Sequence, residues 1–220
     1  MFANDPLEYV VLFHGLARTK RSMTKMEKHL YAEGFGVLNM GYPSRSKTIE
    51  ELAEEIIPHS IMLCHEKGAR KIHFVTHSLG GIIVRYYLKH HHVSELGRVV
   101  MLSPPNGGSE IVDKFRRNCI FKWLNGPAGQ QLGTDKDSLP KKLGSVAFEL
   151  GVITGDRSIN LLLSIIIPGT NDGKVSVTNA KVDGMKEFII IHSSHPFIMK
   201  NRHAIDHTTA FLRHGTFKRK

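Results

Sequence analysis

Short apolar runs alternate along the chain with longer segments that have the periodicity of helices. The runs predicted to be strands are rich in β-branched and aromatic residues, and they cover residues 9–13, 35–40, 71–76, 98–102, 151–154 and 187–191. The predicted helices cover residues 23–32, 48–63, 79–90 and 200–212, and Thr48 and Glu51 form a capping-box pattern at the start of the second. Strands that alternate with helices indicate a parallel sheet covered on both faces. The pattern therefore predicts an α/β fold.

The alternation becomes irregular over about residues 104–145. Because no repeat or low-complexity linker divides the chain, residues 1–220 are predicted to form one domain, with 104–145 as an insertion or cap-like segment. Residues 111–124 have helical spacing: Val112, Phe115, Cys119 and Trp123 share one side and Lys114, Arg116 and Arg117 the other. Two hypotheses stay open for this helix, a basic amphipathic lid that lies on lipid and a cap helix packed on the sheet.

A second apolar stretch covers residues 161–167, LLLSIII. It is far shorter than the roughly 20 apolar residues that a membrane span requires. We expect a buried strand or a pocket wall here, with an acyl-chain channel as the alternative.

The most specific chemical signal is Ser78, which lies between a predicted strand and a predicted amphipathic helix and is preceded by His77. A serine at such a sharp turn has a hydroxyl that stands clear of the backbone, and the helix N-terminus favours negative charge there. Gly80 lets the strand and helix approach closely, although Thr76 occupies the position where the G-x-S-x-G pattern has glycine. Ser78 is the predicted nucleophile, and a simple helix cap is the structural alternative.

The first predicted strand ends in Phe13-His14-Gly15-Leu16. In proteins with such an elbow, a turn after an early strand supplies one backbone donor of the oxyanion hole, and the residue after the nucleophile supplies the other. The predicted donors are the N–H groups of Leu16 and Leu79. Gly15 permits the backbone conformation that this requires, and His14 is assigned a structural role.

A serine nucleophile needs a base, and the base needs a carboxylate that orients it. With this elbow the order along the chain is Ser, then Asp or Glu, then His. Asp172 is the preferred acid because it lies in an Asp-Gly turn after an apolar run, with Asp156 second and Asp183 third. A plain Asp-Gly turn is the structural alternative for Asp172.

The predicted general base is His195, in the loop between the last strand and the last helix. His192 is still nearly in the strand and is less able to reach the site. His203 and His207 lie four residues apart in the last helix, but no third ligand accompanies them, so a solvated helix face is favoured over a metal site. The histidines at 90–92 end a helix, where cationic groups suit the helix dipole.

Together, the His14-Gly15 turn, Ser78, Asp172 and His195 resemble the α/β-hydrolase superfamily, in its small lipase-like and esterase branch found in bacteria. Residues 103–109 are also similar to the loop that borders the site in lipase-like members. The resemblance implies hydrolysis of acyl esters through an acyl-enzyme, without a metal or organic cofactor. Since strands of the full fold are missing before Tyr9, it also implies a minimal, mostly parallel sheet of about six strands.

Two other functions stay open, because one scaffold hosts many chemistries. A thioesterase or acyltransferase uses the same triad, and a catalytically silent protein on this scaffold only binds its ligand. The presence of all three triad residues argues against the silent protein.

The formal charge of +10 allows three kinds of partner, namely nucleic acid, an anionic membrane surface and an anionic substrate. The basic residues are scattered and no nucleic-acid-binding motif accompanies them, so nucleic acid is not expected. A solvated basic surface is favoured, with possible peripheral contact with an anionic membrane. Cys64 and Cys119 are expected to be free thiols, and the start of the chain has no signal-peptide pattern, which predicts a cytoplasmic protein.

Overall fold

The computed structural model describes residues 7–159 and 161–219. Its centre is a six-stranded sheet in the order β2-β1-β3-β4-β5-β6, in which all neighbouring strands are parallel. The strands are β1 Glu8–Phe13, β2 Gly36–Met40, β3 Lys71–His77, β4 Leu96–Leu102, β5 Leu150–Gly155 and β6 Glu187–Ile191. The predicted parallel sheet of about six strands is therefore confirmed.

The helices are α1 Thr24–Ala32, α2 Ile49–Glu66, α3 Leu79–His90, α4 Glu110–Phe115, α5 Cys119–Gln130, α6 Leu139–Lys142, α7 Leu161–Ile166, α8 Val177–Ala180 and α9 Arg202–His214. Two 3-10 helices, Lys20–Met23 and Ile198–Lys200, precede α1 and α9. The predicted capping box is present, because the Thr48 side chain accepts from the Glu51 N–H at 3.2 Å and the Glu51 carboxylate accepts from the Thr48 N–H at 2.8 Å. Helix α2 continues through Pro58.

The core has two layers, one on each face of the sheet. Side chains of α2 and α3 pack on one face with Val11 and Phe13, and side chains of α1 and α9 pack on the other with Val10 and Leu12. Strand β1 is thus buried on both faces, which explains its continuous apolar run. Each fully buried side chain of this size contributes about 1.5–3 kcal/mol to stability. Helices on both faces of the sheet are also confirmed.

The prediction of one helix over residues 111–124 is wrong. Helix α4 ends at Phe115, and α5 begins at Cys119 after Asn118, whose side chain accepts a hydrogen bond from the Phe121 N–H at 2.9 Å. Because Asn118 caps a new helix, the side chains predicted to share one side of a single helix do not do so. Val112 is buried, whereas the Trp123 side chain is 75% exposed. Helix α5 itself bends at Gly126, which has a positive φ of 62°.

The buried strand expected over residues 161–167 is wrong, whereas the pocket wall and the acyl-chain channel stay predictions. Residues 161–166 form helix α7, in which the Ile165 side chain is 81% exposed, while Ile167 after the helix is buried. The side chains of residues 161–163 lie outside the described part of the chain. A short apolar run does not distinguish a buried strand from a helix, which is why periodicity alone misassigned it.

The strand order reverses between β1 and β3. The chain runs from β1 outward to β2 and then returns to β3 on the other side of β1. In open α/β sheets, ligands bind outside the carboxyl ends of the strands at such a point. The loop after β1 and Ser78 after β3 both lie there. Among the described helices, none combines the length and hydrophobicity that crossing a bilayer requires.

Candidate active site

Ser78 connects β3 directly to α3 in a strained backbone conformation, with φ 51° and ψ −118°. A positive φ is uncommon for a residue with a side chain, and such conformations, which cost on the order of 1–3 kcal/mol, cluster at functional sites. The Ser78 N–H donates to the Leu102 carbonyl, and the Ser78 carbonyl accepts from the Gly81 N–H, each at 2.9 Å. The predicted sharp turn between strand and helix is therefore present.

Two glycines after Ser78 let the helix approach the sheet. A Cβ atom on Gly80 would lie 3.0 Å from the carbonyl oxygens of Phe13 and His14, which is tighter than ordinary contact. A Cβ on Gly81 would lie 3.2 Å from Oγ1 of Thr76. Thr76 is fully buried and takes space that Gly81 leaves open. This packing explains how the elbow accommodates threonine where the motif has glycine.

The structure brings the three predicted triad residues together. His195 Nε2 lies 3.1 Å from Ser78 Oγ, and His195 Nδ1 lies 2.8 Å from Asp172 Oδ2. All three residues are buried. Since an ionised carboxylate only accepts hydrogen bonds, the contact with Asp172 places the proton of neutral His195 on Nδ1 and leaves Nε2 as an acceptor toward the serine hydroxyl.

Asp172 is held by its own turn. Its Oδ1 accepts from the N–H groups of Lys174 at 3.0 Å and Val175 at 2.9 Å, and its main-chain carbonyl accepts from the His195 N–H at 2.9 Å. Burial by itself raises the pKa of the Asp172 carboxyl, but His195 and the Val175 N–H outweigh it and hold that pKa below its ordinary value. Asp172 thus stays ionised beside the histidine.

The other acid and base candidates lie elsewhere. Asp156 and His192 contact each other at 3.1 Å between Oδ1 and Nδ1, but the His192 side chain is 74% exposed. Asp183 is also exposed. On α9, His203 is exposed and His207 half-buried, and no group of three or more metal-ligating side chains occurs within residues 7–159 and 161–219.

The loop after β1 approaches Ser78 closely. A Cβ on Gly15 would lie 3.2 Å from Ser78 Cβ and 2.6 Å from His77 Nδ1, so only glycine fits there without a shift. His14 holds this loop, because its Nδ1 donates to the Gly15 carbonyl at 2.9 Å. Leu16 follows Gly15 and Leu79 follows Ser78 in the chain, and the N–H of neither residue donates to an acceptor in the described chain.

His77 is a residue of the site whose role sequence reasoning missed. Its Nε2–H donates to the His195 main-chain carbonyl at 3.0 Å, and the centroids of the His77 and His195 rings lie 4.9 Å apart. Burial, together with the charge on His195, holds the pKa of His77 well below its ordinary value. A histidine directly before the serine was visible in the sequence, but its partner lies 118 residues away.

A cavity of about 80 Å³ opens in front of Ser78 and His195. Its apolar lining includes Leu16 and Val175, together with Ile111 and Val112 of α4 and Phe121 of α5. Two cations, Arg18 and Lys174, also line it. The volume is well below the roughly 300–1,000 Å³ of pockets for drug-sized ligands, so a long acyl chain must extend through the open mouth or displace α4 and α5.

Comparisons with known proteins agree on the fold. A family model described as "alpha/beta hydrolase fold" matches residues 8–142. No curated protein matches the chain in sequence. The solved mature lipase BlEst2 from Bacillus licheniformis superposes with a TM-score of 0.76 at 18% identity, over 98% of this chain and 95% of that one.

Two further solved structures are similar at lower scores. Phospholipase PlaB from Legionella pneumophila has a TM-score of 0.64 at 18% identity, over 79% of this chain and 45% of its own. The metagenomic carboxyl esterase MGS0156 has a TM-score of 0.64 at 15% identity, over 89% of this chain and 66% of its own. At these identities the likeness shows the fold and leaves the substrate open.

Proposed function

The chain belongs to the α/β-hydrolase family, and from this premise we propose that it is a serine hydrolase that cleaves carboxylic esters. The observation that carries the proposal is the continuous hydrogen-bonded line from Ser78 Oγ through both ring nitrogens of His195 to Asp172. Such a line occurs where a nucleophile is activated by a base that a third group orients. The lipase, phospholipase and carboxyl esterase among the similar structures support the same class of reaction.

The proposed reaction has two halves. His195 Nε2 takes the proton of the Ser78 hydroxyl while Ser78 Oγ attacks the ester carbonyl. His195 then gives this proton to the leaving alcohol. Water attacks the acyl-serine by the same route and releases the acid. Asp172 fixes the tautomer of His195 and stabilises its charged form. No step requires a metal or an organic cofactor.

In both halves of the reaction, the N–H groups of Leu16 and Leu79 are assigned as the donors that bind the oxyanion. Support comes from the close approach of Gly15 to Ser78, which places the loop carrying Leu16 beside the nucleophile. Leu79 is the first residue of α3, so its N–H also lies at the positive end of the helix dipole. Removing one such donor typically slows turnover about 10²–10³-fold.

The substrate is proposed to be an acyl ester or a lipid, with peripheral contact between the protein and an anionic membrane. Support comes from Ile120, Trp123 and Leu124 on α5, whose apolar side chains are exposed beside the cavity. Lys122 on the same helix is exposed as well. Exposed apolar groups with flanking cations are typical of surfaces that lie on lipid.

The test of the proposed function is hydrolysis of 4-nitrophenyl esters of increasing acyl length by wild type, Ser78→Ala and Ser193→Ala. Ser193 is buried two residues before His195 and serves as the matched control. We expect Ser78→Ala to lower kcat by about 10⁴–10⁶-fold, as loss of a triad nucleophile does, and Ser193→Ala to keep most of it. Equal activity in wild type and Ser78→Ala contradicts the proposal. Inactivity of the wild type on every ester, with and without vesicles, favours the silent binding protein.

A further inference from the structure

Arg18 and Lys174 are the two cationic side chains that line the cavity containing Ser78 and His195. Lysine and arginine outnumber the acidic residues by ten in this chain, so an unpaired cation is common on its surface. The distinguishing feature of this pair is its position, because both side chains border the atoms that the proposed function assigns to catalysis. Among the described residues, no aspartate or glutamate lines the cavity with them.

The backbone of each cation is fixed by the site itself. The Arg18 N–H donates to the Gly15 carbonyl at 3.2 Å, in the loop assigned to the oxyanion. The Lys174 N–H donates to Asp172 Oδ1 at 3.0 Å, and its carbonyl accepts from the Ser109 hydroxyl at 2.8 Å. Both side chains therefore start from rigid points at the cavity, which lowers the entropy lost when they bind a ligand.

Neither side chain has an ion-pair or hydrogen-bond partner within residues 7–159 and 161–219. Asp172, the carboxylate whose charge acts on Lys174, already accepts from His195 and two N–H groups. Desolvation and the charge of Arg18 both lower the pKa of Lys174. Two like charges at one cavity repel each other, and an anion that enters between them relieves this repulsion.

The rest of the cavity is largely apolar. Ile111 and Val112 of α4 and Phe121 of α5 supply apolar side chains to the same lining. An acyl chain that packs against these side chains leaves Arg18 and Lys174, the cations of the lining, for the other half of the ester. We propose that the substrate is an acyl ester whose alcohol half carries an anionic group, a phosphate or a carboxylate, which Arg18 and Lys174 bind. The proposal rests on the proposed ester hydrolysis and names its substrate class.

The experiment compares kcat/KM for matched anionic and neutral esters with a six-carbon acyl chain, below the concentrations at which they aggregate. One arm pairs 1-hexanoylglycerol 3-phosphate with 1-hexanoylglycerol, and the other pairs O-hexanoyl glycolate with O-hexanoyl glycolamide. The variant is Arg18→Gln/Lys174→Gln. The control is Arg21→Gln/Lys136→Gln, which removes two exposed cations that do not line the cavity.

We expect the wild type and the control to favour the anionic ester of at least one pair by about tenfold or more, the typical strength of charge-assisted hydrogen bonds. We expect Arg18→Gln/Lys174→Gln to lose this preference, so that its ratio of kcat/KM between the anionic and the neutral ester approaches one, and we expect 0.5 M salt to weaken the preference in the wild type.

Three results overturn the proposal. The first is that neither anionic ester is preferred over its neutral partner, and the second is that Arg18→Gln/Lys174→Gln retains the preference. The third is that mono-4-nitrophenyl adipate is preferred over 4-nitrophenyl hexanoate while the esters with an anionic alcohol half are not preferred. The last result places the anion on the acyl half. Failure of the proposed function itself is distinguishable, because the wild type then hydrolyses no ester, neutral or anionic. If the double variant does not hydrolyse 4-nitrophenyl hexanoate, the anionic and neutral esters are compared with the single variants Arg18→Gln and Lys174→Gln instead. A preference that both single variants retain in full overturns the proposal.

Discussion

The two walls of the cavity are built differently. The elbow wall consists of the loop after β1, Ser78, and the loops that carry Asp172 and His195. Ser78, Asp172 and His195 in this wall are buried and joined by hydrogen bonds, and a Cβ on Gly15 would lie only 2.6 Å from His77 Nδ1. The cover wall consists of α4, which is short, and α5, which bends at Gly126 and exposes large apolar side chains such as Trp123.

This difference shows where the geometry of the site is determined. In the elbow wall, each position is over-determined by contacts, so a strained residue such as Ser78 persists. In the cover wall, few buried contacts hold each segment, and regions of this kind open at low free energy. We therefore expect substitutions of the buried residues of the elbow wall to change turnover or stability. Substitutions in the cover wall, or of the exposed cations Arg18 and Lys174, should change the choice of substrate or surface.

The largest expected effect in the elbow wall, after loss of Ser78, comes from Asp172→Asn. The amide donates where the carboxylate accepted, so it favours the wrong tautomer of His195, and kcat should fall about 10⁴-fold. The control is Asp156→Asn, which changes the acid that contacts exposed His192. Steady-state kinetics with a 4-nitrophenyl ester measure both. A larger loss in Asp156→Asn than in Asp172→Asn makes Asp156 the acid.

Gly15→Ala should lower kcat by roughly a hundredfold, which is the scale of a misplacement of about 1 Å at a reacting centre. The new Cβ would meet His77 Nδ1 at 2.6 Å and push the loop carrying Leu16 away from Ser78. Gly41→Ala is the control, since its nearest neighbour is a Lys20 side chain at 3.8 Å. Unchanged kcat in Gly15→Ala contradicts the assignment of this loop to the oxyanion.

Acid should destabilise the protein through the buried histidines of the sheet and the elbow wall. Burial lowers the pKa values of His14, His73 and His77 below their ordinary value of 6.5. Above pH 6.5 both folded and unfolded forms are neutral, whereas below it only the unfolded chain takes up the proton. The free energy of unfolding should therefore fall by up to about 1.4 kcal/mol per pH unit for each histidine.

Urea unfolding at pH 7.5 and 5.5 measures this loss. The variant His77→Gln should reduce the difference between the two pH values, because it removes one of the three groups. The cover helices α4 and α5 contain no histidine, so the acid response should not report on the cover wall. A stability that is equal at the two pH values contradicts the buried neutral state of these histidines.

The smallest expected effect on stability belongs to Trp123→Ser in the cover wall. Its side chain is 75% exposed, so the free energy of unfolding should change by no more than about 0.5 kcal/mol. Binding to anionic phosphatidylglycerol vesicles should nevertheless weaken several-fold in a sedimentation assay, because an interfacial aromatic anchor is lost. The control is Tyr31→Ser, an exposed aromatic residue on α1. Equal binding by all three proteins contradicts contact between this helix and lipid.

The elbow could be predicted from sequence because its signals are local. A buried run, Ser78, Gly80 and an amphipathic helix follow one another within a few residues, and the backbone they require has few alternatives. The acid and base were predicted from their order along the chain and their positions after strands. Their contact at 2.8 Å is a tertiary fact that the sequence only implied.

The cover wall and helix α7 could not be predicted in the same way. Helical spacing over 111–124 suggested one helix, but the Asn118 side chain caps a second one. The apolar run at 161–167 had no periodicity that separates strand from helix. The role of His77 could not be predicted for a third reason, since the hydrogen-bond partner of its side chain is a main-chain carbonyl in a distant loop. Such contacts depend on the completed fold.

Covalent labelling tests most directly whether Ser78 is an activated nucleophile. Wild type, Ser78→Ala and Ser193→Ala would be treated with a fluorophosphonate, and the adduct located by mass spectrometry of proteolytic peptides. We expect one adduct per chain on Ser78 in wild type and in Ser193→Ala, and none in Ser78→Ala. An adduct on another residue, or a wild type that stays unlabelled with and without vesicles, would show that the hydrogen-bonded line from Ser78 to Asp172 does not form a working catalytic site.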